Sequence, residues 1–408
     1  MQASGKSVVV RYIMKRLAAL ILTFSLVTPA TNCLLLEPPA SEGANGGGIS
    51  IADLPLLMAL LSNPVYFFLS DESGSTQARA IVKRDMFGGL RLLTWNGGPG
   101  NIWKGAVVNG VIFALENNNQ DDIWISRDDA QTWQLVDAPG SNESENISNV
   151  LGCGSAVVIT HPTIAYNGSG TRPGYISYDS GVTWQEFRVG ASPAATGSGD
   201  YALSAIDCTS EKIFIASSAV ANRFQWAFLN DLSSWTVATS HPASQNGYSS
   251  IATSGTSTIG LACTTPGYCP YAPEVNYSLN NAEGMALAGS MPYMGLEFTG
   301  VAEFGAGAFF VSEMDQSGDT CRIYNLGNGS TNPSSSTVAS ISCADITNPP
   351  RMPALLVTDA GIFSSYASFS GTQTGVVYSD DGLRSLKKIN IGSVYSGQGI
   401  VTSIDDAR

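Results

Sequence analysis

The chain has 408 residues, among them 43 glycines and 19 prolines, and its 33 acidic side chains outnumber 20 basic ones to give a formal charge of −13. A surface this acidic repels nucleic-acid phosphates, so we predict no nucleic-acid partner. The same charge also serves ordinary solubility. Many short strands joined by tight turns fit the abundance of Gly, Ser and Thr better than a helical fold does.

The first 32 residues have the pattern of a signal peptide. Lys15 and Arg16 precede an apolar run, 17–27. The run has about half of the 20 residues that a membrane-spanning helix needs. We predict a signal peptide over residues 1–32, with Met14 as an alternative start.

Cys33 lies six residues beyond the end of the apolar run. This position resembles the cysteine of bacterial lipoproteins that is acylated after cleavage, although Asn32 stands where Gly or Ala is usual. Cleavage by an ordinary signal peptidase after Ala30 is the alternative. Residues 33–49 are rich in glycine and predict a lipid anchor followed by a flexible tether. The chain is therefore predicted to be an exported lipoprotein, anchored at the outer membrane or the cell surface of a bacterium.

A turn motif recurs along the remainder of the chain about every 50 residues, the mark of one repeated supersecondary unit. Its best copies read S-x-D-x-G-x-T-W or nearly so. One copy comprises Ser177, Asp179, Gly181, Thr183 and Trp184, and the other comprises Ser126, Asp128, Thr132 and Trp133, with Ala130 in place of Gly. Weaker copies begin at Ser70, Phe228, Ser278, Asn325 and Ser379, and successive copies start 47 to 56 residues apart.

A strand-like run precedes each copy, so the motif is expected to close a β-hairpin. Asp and Ser side chains in the turn accept hydrogen bonds from nearby backbone N–H groups, and Gly supplies a positive φ. The motif resembles the Asp-box, or BNR repeat, of sialidase-like β-propellers. That resemblance implies that the boxes lie at the periphery of the blades and stabilise the fold rather than take part in catalysis.

We predict an all-β fold, a seven-bladed β-propeller of four-stranded blades over residues 50–408. One blade is complete in the sequence, with strands at 201–208, 212–217, 223–228 and 235–239. The first blade has room for only two strands before Ser70, at 56–61 and 65–69. We expect the C-terminal run 399–404 to complete it, because this pairs an otherwise exposed sheet edge.

Six cysteines remain if Cys33 carries lipid, and an even number in an exported chain favours disulfides. Six cysteines allow 15 pairings. The spacing favours three pairs, of which the first is one repeat apart, the second brackets a loop and the third flanks the sixth turn. These pairs are Cys153 with Cys208, Cys263 with Cys269, and Cys321 with Cys343.

The sequence predicts no catalytic residue, metal or cofactor. The two histidines, His161 and His241, are far apart and no C-x-x-C occurs, which disfavours a zinc site. A sialidase-type propeller clamps a carboxylate with three arginines, the first in an R-I-P sequence at the start of the first blade. Between Cys33 and Arg79 this chain has no basic residue, and its one R-x-P begins at Arg351.

The function predicted from the sequence is a non-catalytic binding or scaffold lipoprotein. Its partner would be a protein or glycan ligand held by loops at one face of the propeller, and the membrane would be reached through the lipid anchor. The alternative is a glycoside hydrolase, of the exo-sialidase kind, that acts on surface glycans. Arginine geometry at the centre of the propeller separates the two hypotheses, because a bidentate carboxylate clamp requires Arg.

Overall fold

The structure of the chain is a computed structural model. It describes residues 63–406 with gaps at 71–79, 86, 117–121, 138–146, 162, 166–172, 190–199, 218–223, 239–247, 263–273, 292–299, 305–307, 315–318, 346–351, 353, 359–360, 368–373 and 396–398. All of them belong to the compact unit Ala52–Arg408. The predicted signal peptide, Cys33 and the tether lie outside the described residues.

The described residues form 29 strands arranged in seven antiparallel sheets. Blade 1 contains β1 (Val65–Ser70), β2 (Ala80–Arg84), β3 (Leu90–Leu93) and the C-terminal β29 (Ile400–Asp406). Blade 2 contains β4 (Ile102–Val108), β5 (Val111–Glu116), β6 (Asp122–Ser126) and β7 (Gln134–Asp137). Blade 3 contains β8 (Asn149–Cys153), β9 (Ala156–Thr160), β11 (Gly174–Ser177) and β12 (Gln185–Phe187).

The other four blades have the same antiparallel order. Blade 4 contains β13 (Asp200–Cys208), β14 (Lys212–Ser217), β15 (Phe224–Phe228) and β16 (Asp231–Val237), with β10 (Thr163–Ala165) added beside β13. Blade 5 contains β17 (Tyr248–Ser254), β18 (Ser257–Ala262), β19 (Glu274–Ser278) and β20 (Ala286–Ser290). Blade 6 contains β21 (Gly300–Phe304), β22 (Ala308–Met314), β23 (Thr320–Asn325) and β24 (Thr337–Ser342). Blade 7 contains β25 (Leu355–Thr358), β26 (Gly361–Ala367), β27 (Thr374–Ser379) and β28 (Lys387–Ile389). Short 3₁₀ turns lie at Pro333–Ser335 and Ile391–Ser393.

The blades close into a ring around a central axis. The innermost strand of each blade contacts that of the next, in the order β29, β4, β8, β13, β17, β21, β25 and back to β29. The prediction of a seven-bladed propeller with four-stranded blades is therefore confirmed. The predicted closure is confirmed as well, because β29 pairs with β1 from Val65 opposite Asp406 to Ser70 opposite Ile400.

The hydrophobic core consists of apolar layers between neighbouring blades. Side chains of a strand point alternately to opposite faces of its sheet. In β1, Phe67 packs towards blade 7, where its ring centroid lies 6.2 Å from that of Phe363, whereas Phe68 packs towards Ile112 of blade 2. The apolar side chains of a second strand thus pack into the layers on both sides of its blade. Each blade is therefore stabilised by its two neighbours in the ring.

Two of the predicted motif copies are wrong. Ser70 ends the second strand of blade 1, and the missed third strand, β2, follows it. The turn that matches the motif position of the other blades is Asp85–Gly89, where Asp85 Oδ1 accepts hydrogen bonds from Phe87 N and Gly89 N at 2.9 and 2.8 Å. The copy at Phe228 is a tight hairpin in which Phe228 pairs directly with Asp231. Ser, Gly and Thr are common throughout this chain, so a weak match to them did not identify one turn type.

Candidate functional site

The central axis of the ring holds a cavity of about 630 Å³. Innermost strands of blades 1, 2, 3, 4, 5 and 7 line it, together with the turns that follow these strands in blades 3, 4 and 5. A cavity of this size is in the range of small-molecule sites, about 300–1,000 Å³. It is therefore the candidate site.

Carboxylates tie neighbouring innermost strands together at the turn end of this cavity. Asp405 Oδ2 accepts a hydrogen bond from the backbone N–H of Val107 at 2.8 Å, which joins blade 1 to blade 2. Asp207 Oδ2 accepts hydrogen bonds from N and Oγ1 of Thr253 at 2.7 and 3.0 Å, which joins blade 4 to blade 5 in the same way. The inner edge of a blade exposes strand N–H groups, and these side chains satisfy two of them.

Lys104 supplies a positive charge farther along the cavity. Its Nζ donates a hydrogen bond to Asn149 Oδ1 at 2.6 Å, and the Asn149 amide donates to Ser148 Oγ and Thr160 Oγ1 at 3.0 and 3.2 Å. Removal from bulk water lowers the pKa of Lys104 to about 8. Near neutral pH the side chain is therefore mostly an ammonium whose described partner is an uncharged amide.

The sequence analysis did not identify these residues. Lys104 is a charged side chain inside an otherwise apolar strand, and Asp207 and Asp405 each follow an Ile near the end of an innermost strand. A comparison of the first strands of the blades with one another would have found this recurrence.

The arginines that the structure describes all lie away from the cavity. Arg84 packs against the rings of Phe363 and Tyr378, and Arg91 pairs with Asp129. The others lie on outer strands or in turns, and they are Arg127, Arg188, Arg322 and Arg384. Arg79, Arg172, Arg223, Arg351 and Arg408 are outside the described residues. No described arginine lines the cavity, so this part of the chain supplies no carboxylate clamp.

The two strong motif copies form the same turn between the third and fourth strands of their blades, here called the box turn. In blade 3, Ser177 Oγ donates to Asp179 Oδ1 at 2.9 Å and accepts from Gly181 N at 2.8 Å. Asp179 also accepts from Thr183 N at 2.8 Å and Thr183 Oγ1 at 2.6 Å. In blade 2, Ser126, Asp128 and Thr132 make the equivalent bonds.

The copy at Ser379, weak in sequence, also forms a box turn. Ser379 Oγ donates to Asp381 Oδ1 at 2.8 Å and accepts from Leu383 N at 3.0 Å, and Ser385 Oγ donates to Asp381 Oδ2 at 2.6 Å. A Ser hydroxyl thus replaces Thr, and Leu383 adopts the positive φ of 65°. Hydroxyl and carboxylate geometry defines this turn, whereas the residue at its fifth position varies.

The fifth position of each box turn packs against the preceding blade. Ala130 lies against blade 1 and Leu383 against blade 6, and both are buried. At Gly181, with a φ of 81°, an added Cβ would lie 2.7 Å from Cδ1 of Ile125 and 2.9 Å from Cε1 of Phe113. Glycine is required there because no space exists for a side chain.

Asp129 of the blade 2 box turn binds all three outer strands of blade 1. Its carboxylate accepts two 2.9 Å hydrogen bonds from Lys83 Nζ and one of 3.1 Å from Tyr66 OH, and it pairs with Arg91. Burial alone would raise the pKa of Asp129, but the bonds from Lys83 and Tyr66 lower it overall. These contacts join one blade to the next.

Trp133 and Trp184 of the box turns, and Trp235 on strand β16, pack at the rim of the propeller. Trp133 lies against Trp95 with ring centroids 5.3 Å apart, and Trp235 stacks on Phe187 at 6.1 Å. Trp184 is partly buried against the layer between blades 2 and 3. Edge-to-face and stacked rings stabilise such contacts by about 0.5–1.5 kcal/mol.

Two of the three predicted cysteine pairs are disulfides. Cys153 at the end of β8 is bonded to Cys208 at the end of β13, with Cα atoms 5.4 Å apart, so this bond joins blades 3 and 4 beside the cavity. Cys321 is bonded to Cys343 within blade 6. Cys263 and Cys269 lie outside the described residues.

Among the described residues, no group of three His, Cys, Asp or Glu side chains is placed to hold a metal ion. His161 is buried after β9. His241 is not among the described residues. In the described part of the chain, no helix is long and apolar enough to cross a membrane.

Substitution of Asp179 should have an effect that depends on pH. Hydrogen bonds from Thr183 lower the pKa of Asp179 to about 2. Their stabilisation is present above the ordinary pKa of about 3.9 and is lost as the pH falls through about 2. We expect Asp179→Ala to lower the Tm at pH 7, with a difference from wild type that shrinks between about pH 4 and pH 2. Thermal denaturation followed by circular dichroism measures this, and Asp137→Ala, an exposed carboxylate on β7, is the control. A difference that stays constant with pH would assign the effect to packing.

Comparison with known proteins gives one sequence relative and a shared fold. No family model matches the chain. Over 113 residues the chain is 31% identical to a sialidase from Clostridium perfringens, and the match covers 26% of this chain and 28% of that sialidase, far less than its full length. A putative 6-phosphogluconolactonase from Bacteroides uniformis superposes with a TM-score of 0.51 at 11% identity, covering 84% of this chain and 98% of its own. A structure of YCF48 bound to a D1 peptide gives a TM-score of 0.43 at 8% identity over 71% of this chain and 81% of YCF48. The phosphogluconolactonase match reflects the fold alone.

Proposed function

We propose that the protein is a non-catalytic binding module, exported and anchored to a bacterial membrane, that holds a protein or glycan ligand at the centre of one propeller face. The observation that carries this proposal is the chemistry of the cavity. Its described lining offers one ammonium, several carboxylates and backbone groups, without an arginine cluster. Such a lining orients a ligand by charge and hydrogen bonds, but it lacks the clamp that a sialidase-type reaction needs.

A turnover assay tests the non-catalytic part of this proposal. We expect no hydrolysis of fluorogenic sialosides above the buffer rate at protein concentrations that saturate binding. A known sialidase in the same assay is the control for substrate quality. Hydrolysis that depends on protein concentration would favour the alternative function.

That alternative is a glycoside hydrolase acting on surface glycans, and the 113-residue similarity to the Clostridium perfringens sialidase favours it. It requires the arginines outside the described residues to converge. Arg351→Ala is the discriminating variant, since loss of a clamping arginine would abolish turnover. In a binding module that does not use Arg351, the same variant should leave ligand binding nearly unchanged.

We further propose that the box turns are Asp-box repeats of the sialidase-like kind and that Cys33 carries the lipid. In a bacterial host, the wild-type protein should partition into the detergent phase and incorporate labelled palmitate. Cys33→Ser should move it to the aqueous phase and abolish labelling, because lipid chains supply the membrane affinity. A Ser variant that partitions like wild type would assign anchoring to another segment.

A further inference from the structure

The central cavity carries charges of opposite sign at two levels along its axis. Lys104 of β4 and Asn149 of β8 define one level, where their side chains meet. Three residues farther along β4, the backbone N–H of Val107 donates a hydrogen bond to the Asp405 carboxylate. A strand rises about 3.3 Å per residue, so the two levels are about 10 Å apart.

The negative level is built from several carboxylates. Asp207 and Asp405 line the cavity at the ends of innermost strands, and Asp406 lines it beside Asp405. The donors to Asp207 and Asp405 include the backbone N–H groups of Thr253 and Val107 and the Thr253 hydroxyl.

The positive level contains Lys104, which is the only basic side chain among the described lining residues. Its described hydrogen-bond partner is the neutral Asn149 oxygen, and loss of water is the cause of its lowered pKa. An ammonium has three donor hydrogens, so Lys104 has donors left for an anion that enters the cavity. An anion there would also offset the desolvation of the ammonium.

We propose that the cavity binds the C-terminal segment of a peptide, with the terminal carboxylate on Lys104 and a basic side chain two residues earlier at the Asp207 and Asp405 level. This proposal rests on the binding function proposed above and names its ligand class. Two residues of extended peptide span about 7 Å, and the long side chain of the basic residue covers the remaining ~3 Å between the levels. An acidic sugar offers a carboxylate but no cation, and the carboxylates at the second level would repel it.

Isothermal titration calorimetry with the full chain tests the proposal. The probe is N-acetyl-Lys-Ala-Ala with a free carboxylate, and its C-terminal amide is the matched control peptide. We expect the acid to bind at least tenfold more tightly than the amide. N-acetyl-Ala-Ala-Ala should also bind more weakly than the probe, because it lacks the cation.

Two substitutions assign the charges to residues. Lys104→Gln should remove the preference for the acid over the amide, and Asp405→Asn should reduce the preference for Lys over Ala at the first position, because it neutralises one of the carboxylates at that level. The Asn side chain keeps an oxygen that can accept from the Val107 N–H, so Asp405→Asn removes the charge and retains this hydrogen bond. Lys388→Gln, which changes a lysine on outer strand β28, is the control and should bind the probe as wild type does. Circular dichroism and Tm values establish that each variant is folded.

The pH dependence gives a second readout that a merely structural role of Lys104 would not produce. With a pKa of about 8, Lys104 is mostly charged at pH 7 and mostly neutral at pH 9. Probe affinity should therefore fall about tenfold over that range. The described charged groups facing the cavity besides Lys104 are the Asp207, Asp405 and Asp406 carboxylates, and the probe has no free α-amine. Lys104→Gln should abolish this dependence.

Three results would overturn the proposal, and the first is equal binding of acid and amide by the wild-type protein. The second is a Lys104→Gln variant, folded as judged by Tm, that retains the acid preference. The third is tight binding of N-acetylneuraminate with no binding of the probe, which would assign the cavity to acidic glycans. Binding of any ligand elsewhere, unaffected by Lys104→Gln, would leave the proposed binding function standing while the cavity proposal fails.

Discussion

Deletion of residues 395–408 is expected to abolish cooperative unfolding of the propeller and to cause aggregation. This segment contains β29, whose six paired positions with β1 supply the innermost strand of blade 1. Val401 is completely buried and Ile404 nearly so in the layer between blades 7 and 1. Each aliphatic side chain of this kind contributes about 1.5–3 kcal/mol by burial.

The loss would extend beyond blade 1. Ser403 Oγ and Asp405 Oδ2 accept hydrogen bonds from the backbone of β4. The deletion therefore also removes these two hydrogen bonds between blade 1 and blade 2. The total lost is comparable to the whole stability of a typical domain, about 5–15 kcal/mol. The exposed edge of β1 would in addition become a template for pairing with other chains.

Differential scanning calorimetry and light scattering measure these effects. A chain ending at Asp406 is the matched control, because it keeps all of β29, and it should melt as wild type does. A synthetic peptide of residues 395–408, added in trans, should restore part of the cooperative transition. A truncated chain that melts with unchanged Tm and enthalpy would show that the ring holds without its closing strand.

The repeated turns could be predicted because their chemistry is local. Ser177, Asp179 and Thr183 lie within seven residues of one another and make their hydrogen bonds to one another and to the backbone between them. The repeat interval then placed a strand on each side of each turn. The same local signal failed at Phe228, where Asp231 and Ser233 make a bond of 2.6 Å that stabilises a different turn.

The cavity could not be predicted because its contacts are distant in sequence. Lys104 and Asn149 are 45 residues apart, and Val107 and Asp405 are separated by 298. Such pairs meet only after the ring has closed, and a charged residue in a strand carries no information about its partner. The short strand β10 was missed for a similar reason, since it leaves blade 3 and pairs with β13 of blade 4.

The disulfide between Cys153 and Cys208 spans the boundary between blades 3 and 4, where the innermost strands have little other contact. Strand β8 has five residues and β13 has nine, and β10 occupies the far end of β13 opposite Asp200–Ala202. The two innermost strands therefore meet mainly at their turn ends, where the sulfur atoms are bonded. Contact along this boundary depends on the disulfide more than at boundaries where long strands lie side by side.

Replacement of both cysteines by serine should lower the free energy of unfolding by about 2–4 kcal/mol. The two residues are 55 apart in sequence, and closing a loop of that size removes about 4 kcal/mol of chain entropy from the unfolded state. Chemical denaturation under non-reducing conditions measures the change.

The matched control is the Cys321→Ser, Cys343→Ser variant, which removes a disulfide with a separation of 22 inside blade 6. It should cost about 3 kcal/mol by the same entropy argument, but it should leave the boundary between blades 3 and 4 intact. Hydrogen exchange separates the two effects, since amides of β8 and of the end of β13 should exchange faster only in the Cys153→Ser, Cys208→Ser variant. Equal exchange at that boundary in both variants would mean that side-chain packing, rather than the disulfide, holds the two blades together beside the cavity.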